Sequence, residues 1–148
     1  MAGGACSGKC RILGKVGDLC RGGMALCSAG ENLLAERVLR IALDMSREHG
    51  LGPVLEAKAV NNLGLVLQSE GRSREALDAF GVALGLIRGR VGTDNKLYRT
   101  VNNNYQQVLG VQVAEYKRVT EACAGRCAPS TGPMSDPACA CGRMACRN

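Results

Sequence analysis

Residues 41 positions apart match one another in a single unbroken register, and a chain that repeats itself has few folds open to it. Gly23 aligns with Gly64, Leu26 with Leu67, Ser28 with Ser69 and Gly30 with Gly71. Ala35 aligns with Ala76, Leu39 with Phe80, and Ala42-Leu43 with Ala83-Leu84. The register continues downstream, where Lys58 meets Arg99 and Val60-Asn61-Asn62 meets Val101-Asn102-Asn103.

Within each copy the apolar residues recur at helical spacing. Ala57, Val60, Leu63-Gly64 and Leu67 form one stripe, Gly71 interrupts it, and Ala76-Leu77, Phe80, Ala83-Leu84 and Ile87 form a second. The first copy uses the same grammar: Gly30 breaks, then Leu34-Ala35, Val38-Leu39 and Ala42-Leu43 follow. Ser73 and Asn32 are the expected N-caps of the second helices, with Glu75 in the positive first turn of its helix. Small residues at Gly64, Ala76 and Ala83 let paired helices approach closely. Aromatic residues are 3% of the chain, with no Trp and one Phe, so the core must be aliphatic, which suits packed helices better than strands. The pattern predicts an all-α fold of about five to six helices.

The second copy, from Val60 through Leu63-Gly64, Leu67, Gly71, Ala76 and Phe80 to Ala83, resembles a tetratricopeptide (TPR) unit. The period of 41 exceeds the ~34 of the basic motif. The extra residues, Arg88 to Thr93, and the Asn61-Asn62-Leu63-Gly64 segment are similar to the longer TPRs of kinesin light chains. The resemblance implies helical-hairpin repeats stacked as an α-solenoid. Copies are expected at about 13–53 and 54–94, with a partial copy at 95–123, after a flexible N-terminus at 1–12. In the partial copy Tyr105 stands where Gly64 stood and Asn104 where Leu63 stood, so its first helix is expected to pack differently. Val113, Tyr116 and Val119-Thr120 space along one face of a helix that would act as an end cap. Repeat stacks generally need about three units, so exposed repeat edges offer a route to self-association.

The same resemblance implies a site. The first helices of TPR pairs line a concave groove, where an Asn at the position of Asn62 and Asn103 faces a bound peptide. Lys58 and Arg99 fall where a basic residue often meets acidic groups. Asn61, Gln68, Asn102 and Gln106 complete the polar set. An Asn amide both donates and accepts, so it can clamp a peptide backbone whatever its side chains. Asn is a mediocre helix former, so two Asn pairs at equivalent helical positions call for a reason. The competing account is a solvated polar face. Gly17, Cys20 and Arg21 occupy the corresponding places in the first copy, so a clamp repeated three times is not expected. The expected function is a non-enzymatic scaffold that holds a protein or peptide partner of acidic character.

The remaining features bound other functions. Cysteines number nine, and several lie toward the C-terminus. Cys123 and Cys127 lie one helical turn apart, and Cys139 and Cys141 would complete a four-sulfur zinc shell, the alternative function. Their spacing lacks Cys-x-x-Cys pairs, and the Pro-, Ser- and Gly-containing stretch 128–137 predicts a disordered tail over 124–148. No cofactor is expected. His49, the one histidine, sits near a predicted helix end, where it complements the helix dipole; without a second His it supports no catalysis. The net charge of +6 is spread evenly along the chain, which argues against a nucleic-acid partner. No apolar run approaches the ~20 residues of a membrane helix, so no membrane role is expected. Lys9, Arg11, Lys15 and Asp18 break up any secretory leader, and Ala2 departs from the myristoylation motif, so a cytoplasmic setting is expected.

Overall fold

The computed structural model describes residues 6–126, and all regular structure within them is helical. The helices are α1 (Cys6–Ser28), α2 (Asn32–Glu48), α3 (Pro53–Ser69), α4 (Ser73–Val91) and α5 (Lys96–Arg126). Among the described residues none is long and apolar enough to cross a membrane. The all-α expectation holds, and the five helices among the described residues fall within the expected five to six. Helix α1 begins upstream of residue 13, so residues 6–12, expected to be flexible, are helical.

The sequence repeat is a repeat of geometry. Helix α1 packs on α2 and α3 on α4, each pair joined by a three-residue turn. Gly30 and Gly71 take φ +82° and +75°, a left-handed conformation that glycine adopts without a Cβ clash. Each glycine ends its helix in the same way. Glu31 N–H donates to Leu26 O and Arg72 N–H to Leu67 O, both at 2.9 Å, the six-to-one bond of a Schellman stop. Glu31 and Arg72 then share nearly one backbone conformation, φ −82°, ψ 55° and φ −81°, ψ 58°. Their carbonyls accept from Ala35 and Ala76 N–H at 2.9 and 3.0 Å and so start the next helix.

This compact turn displaces the expected caps. Ser73 and Asn32 are already the first helical residues, and neither helix has a side-chain cap. A cap must precede the helix in a non-helical conformation, and the Schellman stop gives that place to Arg72 and Glu31. Sequence reasoning missed the cap that does form. Asn95 Oδ1 accepts from Tyr98 N–H at 2.8 Å, and its amide donates to Gly92 O at 2.9 Å, pinning the start of α5. Pro53 opens α3 in its first turn, where no N–H is missed.

Glycine also sets how closely paired helices pack. A Cβ on Gly64 would lie 2.6 Å from Cε1 of Phe80, and one on Gly23 would lie 2.7 Å from Cγ of Leu39. These are equivalent positions in the two copies. Phe80 and Leu39 are fully buried in one aliphatic cluster with Ala57, Val60, Leu67, Ala76, Ala83 and Ile87. Burying a side chain of this size contributes about 2–3 kcal/mol.

Gly71 has no counterpart in the third copy. The residue 41 places on is Gln112, whose Cβ disfavours the left-handed turn. Helix α5 therefore continues to Arg126, and no second hairpin forms there. The compact unit that holds the core ends at Gly110, and a second unit begins at Val111. Val101 and Val108 of α5 belong to the core of the first unit, with Leu97, Tyr98 and Tyr105 packed against it.

Charged side chains tie the first helix pair to the second. Arg72 bonds Glu36 of α2 at 2.8 Å, Glu70 at 2.9 Å and Glu75 at 2.5 Å, and Glu36 also accepts from Arg40. Arg47 of α2 bonds Glu56 of α3 at 2.7 Å. The Arg72 guanidinium is held protonated by its three carboxylates, led by Glu75. Arg40 first, and then Arg72, hold the Glu36 carboxyl below the usual range, against the opposing effect of burial.

Two stability measurements test this account. In chemical denaturation, Gly64→Ala is expected to cost about 1–3 kcal/mol by overpacking against Phe80. Gly85→Ala, on an open face of α4 with nothing near the new methyl, is expected to gain about 0.5–1 kcal/mol of helix propensity. Equal effects at the two sites would refute the close approach. Because the folded Glu36 pKa is lowered, its stabilising contribution is present above the ordinary glutamate value of about 4.3 and fades as pH falls through the folded value. Urea titrations of wild type and Glu36→Gln should differ at pH 7 and converge in acid.

Candidate functional site

The first helices of the copies lie side by side. Cys27 of α1 meets Ser69 of α3 at 3.6 Å, and Asn104 of α5 donates to Asn61 Oδ1 of α3 at 3.0 Å. Helix α3 is thus flanked by α1 and α5 while α4 covers its Gly64 side. The part of its circumference left to solvent is narrow. It holds Lys58, Asn62 and Leu65, spaced four and three residues apart along one stripe that ends at Ser69, against Cys27 of α1. The equivalent stripe on α5 is Arg99, Asn103, Gln106 and Gly110, all exposed. On α1 it is Gly17, Arg21, Met24 and Ser28.

Asn62 and Asn103 therefore sit at matching places on neighbouring helices. Asn62 lies on α3, which meets α1 through Ser69 and α5 through Asn61. Asn62 is half-buried and Asn103 exposed. Lys58 and Arg99 are exposed, as is Gln106, while Gln68 and Asn102 are half-buried. Arg99 reaches Asp94 at 3.3 Å, a surface pair worth little in water. Arg21 pairs with Asp18 on α1. Lys58 has no acidic partner among the described residues, and its charge falls on Cys20. Burial pushes the Cys20 thiol up, against the lowering effect of Arg21 and then Lys58, so it stays a neutral thiol.

Asn61 departs from expectation. It was expected on the exposed polar face, yet it is 8% exposed and faces α5. Buried amides are ordinarily hydrogen-bonded, and Asn61 meets this through Asn104 and, at 3.5 Å, Asn62. One repeat earlier the two partners are Cys20 and Leu63, both in or against the apolar core. The amide pair between α3 and α5 thus stands at positions that hold Cys20 and Leu63 one repeat earlier. The signal was present in the sequence: Asn104 replaces a core leucine at the position where a polar residue needs a partner. Asn102 is the counterpart of Asn61 on α5. The stripes on α3 and α1 also hold Leu65 and Met24, half-buried apolar residues.

No group of three or more His, Cys, Asp or Glu among the described residues is placed to hold a metal ion. Cys123 lies on α5, half-buried, and Cys127, Cys139 and Cys141 lie outside the described residues. No family model matches the chain, and no curated protein matches it.

The amide pair makes a double-mutant prediction. Asn61→Leu or Asn104→Leu alone leaves the other amide without its partner and should cost about 1–3 kcal/mol of stability, while the double variant should recover most of that loss. Strict additivity of the two losses in thermal or urea unfolding would show that the bond carries no coupling.

Proposed function

We propose that residues 6–110 form a TPR-type helical-repeat module, an α-solenoid similar to the long repeats of kinesin light chains, that acts as a non-enzymatic protein-binding scaffold. Its binding surface is the stripe shared by α1, α3 and α5, and its partner is an extended peptide segment with acidic groups. The observation that supports the reading is that Asn62 of α3 and Asn103 of α5 hold equivalent positions on adjoining helices, with Asn62 half-buried and Asn103 exposed.

The chemistry of such a surface follows from its side chains. The two amides each offer donors and an acceptor to a peptide backbone. Lys58, which has no ion pair among the described residues, supplies a cation for a carboxylate, and Arg99 can exchange Asp94 for a bidentate contact with a ligand acid. Leu65 and Met24 add apolar area beside the polar groups, a combination usual in binding sites. The expected setting is the cytoplasm.

Affinity capture followed by calorimetry on the captured partner tests the proposal. Asn62→Ala combined with Asn103→Ala should weaken binding about 10- to 100-fold, if each amide contributes about 1 kcal/mol or somewhat more. Lys58→Ala should weaken it less and reduce its salt dependence. Partners that bind the double Asn variant as tightly as wild type would remove the groove from consideration.

A further inference from the structure

Helix α5 carries two apolar stretches. Tyr98, Val101, Tyr105 and Val108 meet the hydrophobic cluster at alternating spacings of three and four residues. Beyond Gly110, Gln112, Tyr116, Val119 and Cys123 recur at spacings of four, three and four and so share one side of that stretch of helix. In this second stretch Tyr116 is 71% and Val119 53% exposed, and Val113 beside them is 46% exposed.

The repeat register shows that the third copy cannot cover these residues itself. The segment after Gln112 stands where α4 stands in the second copy. There Lys117 replaces Ala76 and Glu121 replaces Phe80, so the side chains that bury a second helix have become charged. Gln112 in place of Gly71 keeps the helix from turning back. Of the apolar side chains that remain, Tyr116 and Val119 share one face with Gln112 and Cys123.

We propose that residues 112–123 pair antiparallel with the same segment of a second copy of this chain. Two features favour a second copy. The segment carries Glu115, Lys117, Arg118 and Glu121, two acids and two bases, so two copies meet without net repulsion although the whole chain carries +6. Its stripe is also self-complementary about a two-fold axis. With Tyr116 opposite Val119 of the second copy, the large ring meets a small branched side chain, and Gln112 falls opposite Cys123. A parallel pair would instead set Tyr116 against Tyr116 and Gln112 against Gln112. About twelve residues per helix bury on the order of 800 Å², below the standard size of stable interfaces, so the dimer is weak and concentration-dependent.

Sedimentation equilibrium on the full chain in reducing buffer tests this inference, with helical circular dichroism as the check that each variant folds. Wild type should pass from monomer to dimer with a micromolar Kd. Tyr116→Glu with Val119→Glu should raise that Kd at least tenfold, since four carboxylates then face one another. Tyr116→Glu with Val119→Lys sets each new acid opposite a new base only in the antiparallel arrangement, and so should associate more tightly than the Glu/Glu variant. A wild type that stays monomeric at about 100 μM, as it would if an unrelated protein were the natural partner, overturns the proposal. So does association that the Glu/Glu variant leaves unchanged, or a Glu/Lys variant no tighter than Glu/Glu.

Discussion

The fold depends on a steric constraint repeated at two places: a glycine in the first helix of each pair lies under a large buried side chain of the second. Gly23 receives Leu39 and Gly64 receives Phe80, with no room for even a methyl group at either glycine. Close approach brings Ala35, Ala76 and Ala83, all fully buried, into contact range across the pairs. A chain with so few aromatic residues needs that closeness, because small side chains fill an interior only when backbones come near one another. The left-handed glycines at 30 and 71 serve the same end by turning the chain back within three residues.

Joining the pairs takes different physics. Between α2 and the α3–α4 turn the link is ionic, centred on Arg72 and Glu36, whose side chain is 12% exposed. Between α3 and α5 the link is the Asn61–Asn104 amide bond. Surface ion pairs add little stability alone, but a network sharing one guanidinium holds several carboxylates in a fixed geometry. A buried amide pair adds direction. It is satisfied in one register of α5 against α3 and left wanting in others, which the neighbouring apolar contacts would tolerate.

The candidate site was chosen from residues alone. Lys58, Asn62, Arg99, Asn103 and Gln106 were chosen because equivalent positions in repeated helices share a register, and the fold leaves Asn62 half-buried and the other four exposed. Asn61 was misplaced by the same logic. Its counterpart in the repeat, Asn102, is on a helix that no further helix follows among the described residues, whereas Asn61 faces α5, and equivalence by register says nothing about which helix lies alongside. The caps at Asn32 and Ser73 failed for a local reason: residue type matched, but the glycine stop moved the helix start by one residue.

Periodicity by itself determined that the chain is helical, where the turns fall, and which faces are apolar, because those depend on side-chain spacing and on glycine's tolerance of positive φ. Tertiary structure alone decided which polar residues are buried, since that depends on which helix lies alongside. It also decided that α5 stays helical past Gln112 and that Tyr116 and Val119 are exposed. A one-residue change from the Gly71 position removes the turn, and only the folded helix reveals how far the consequence travels.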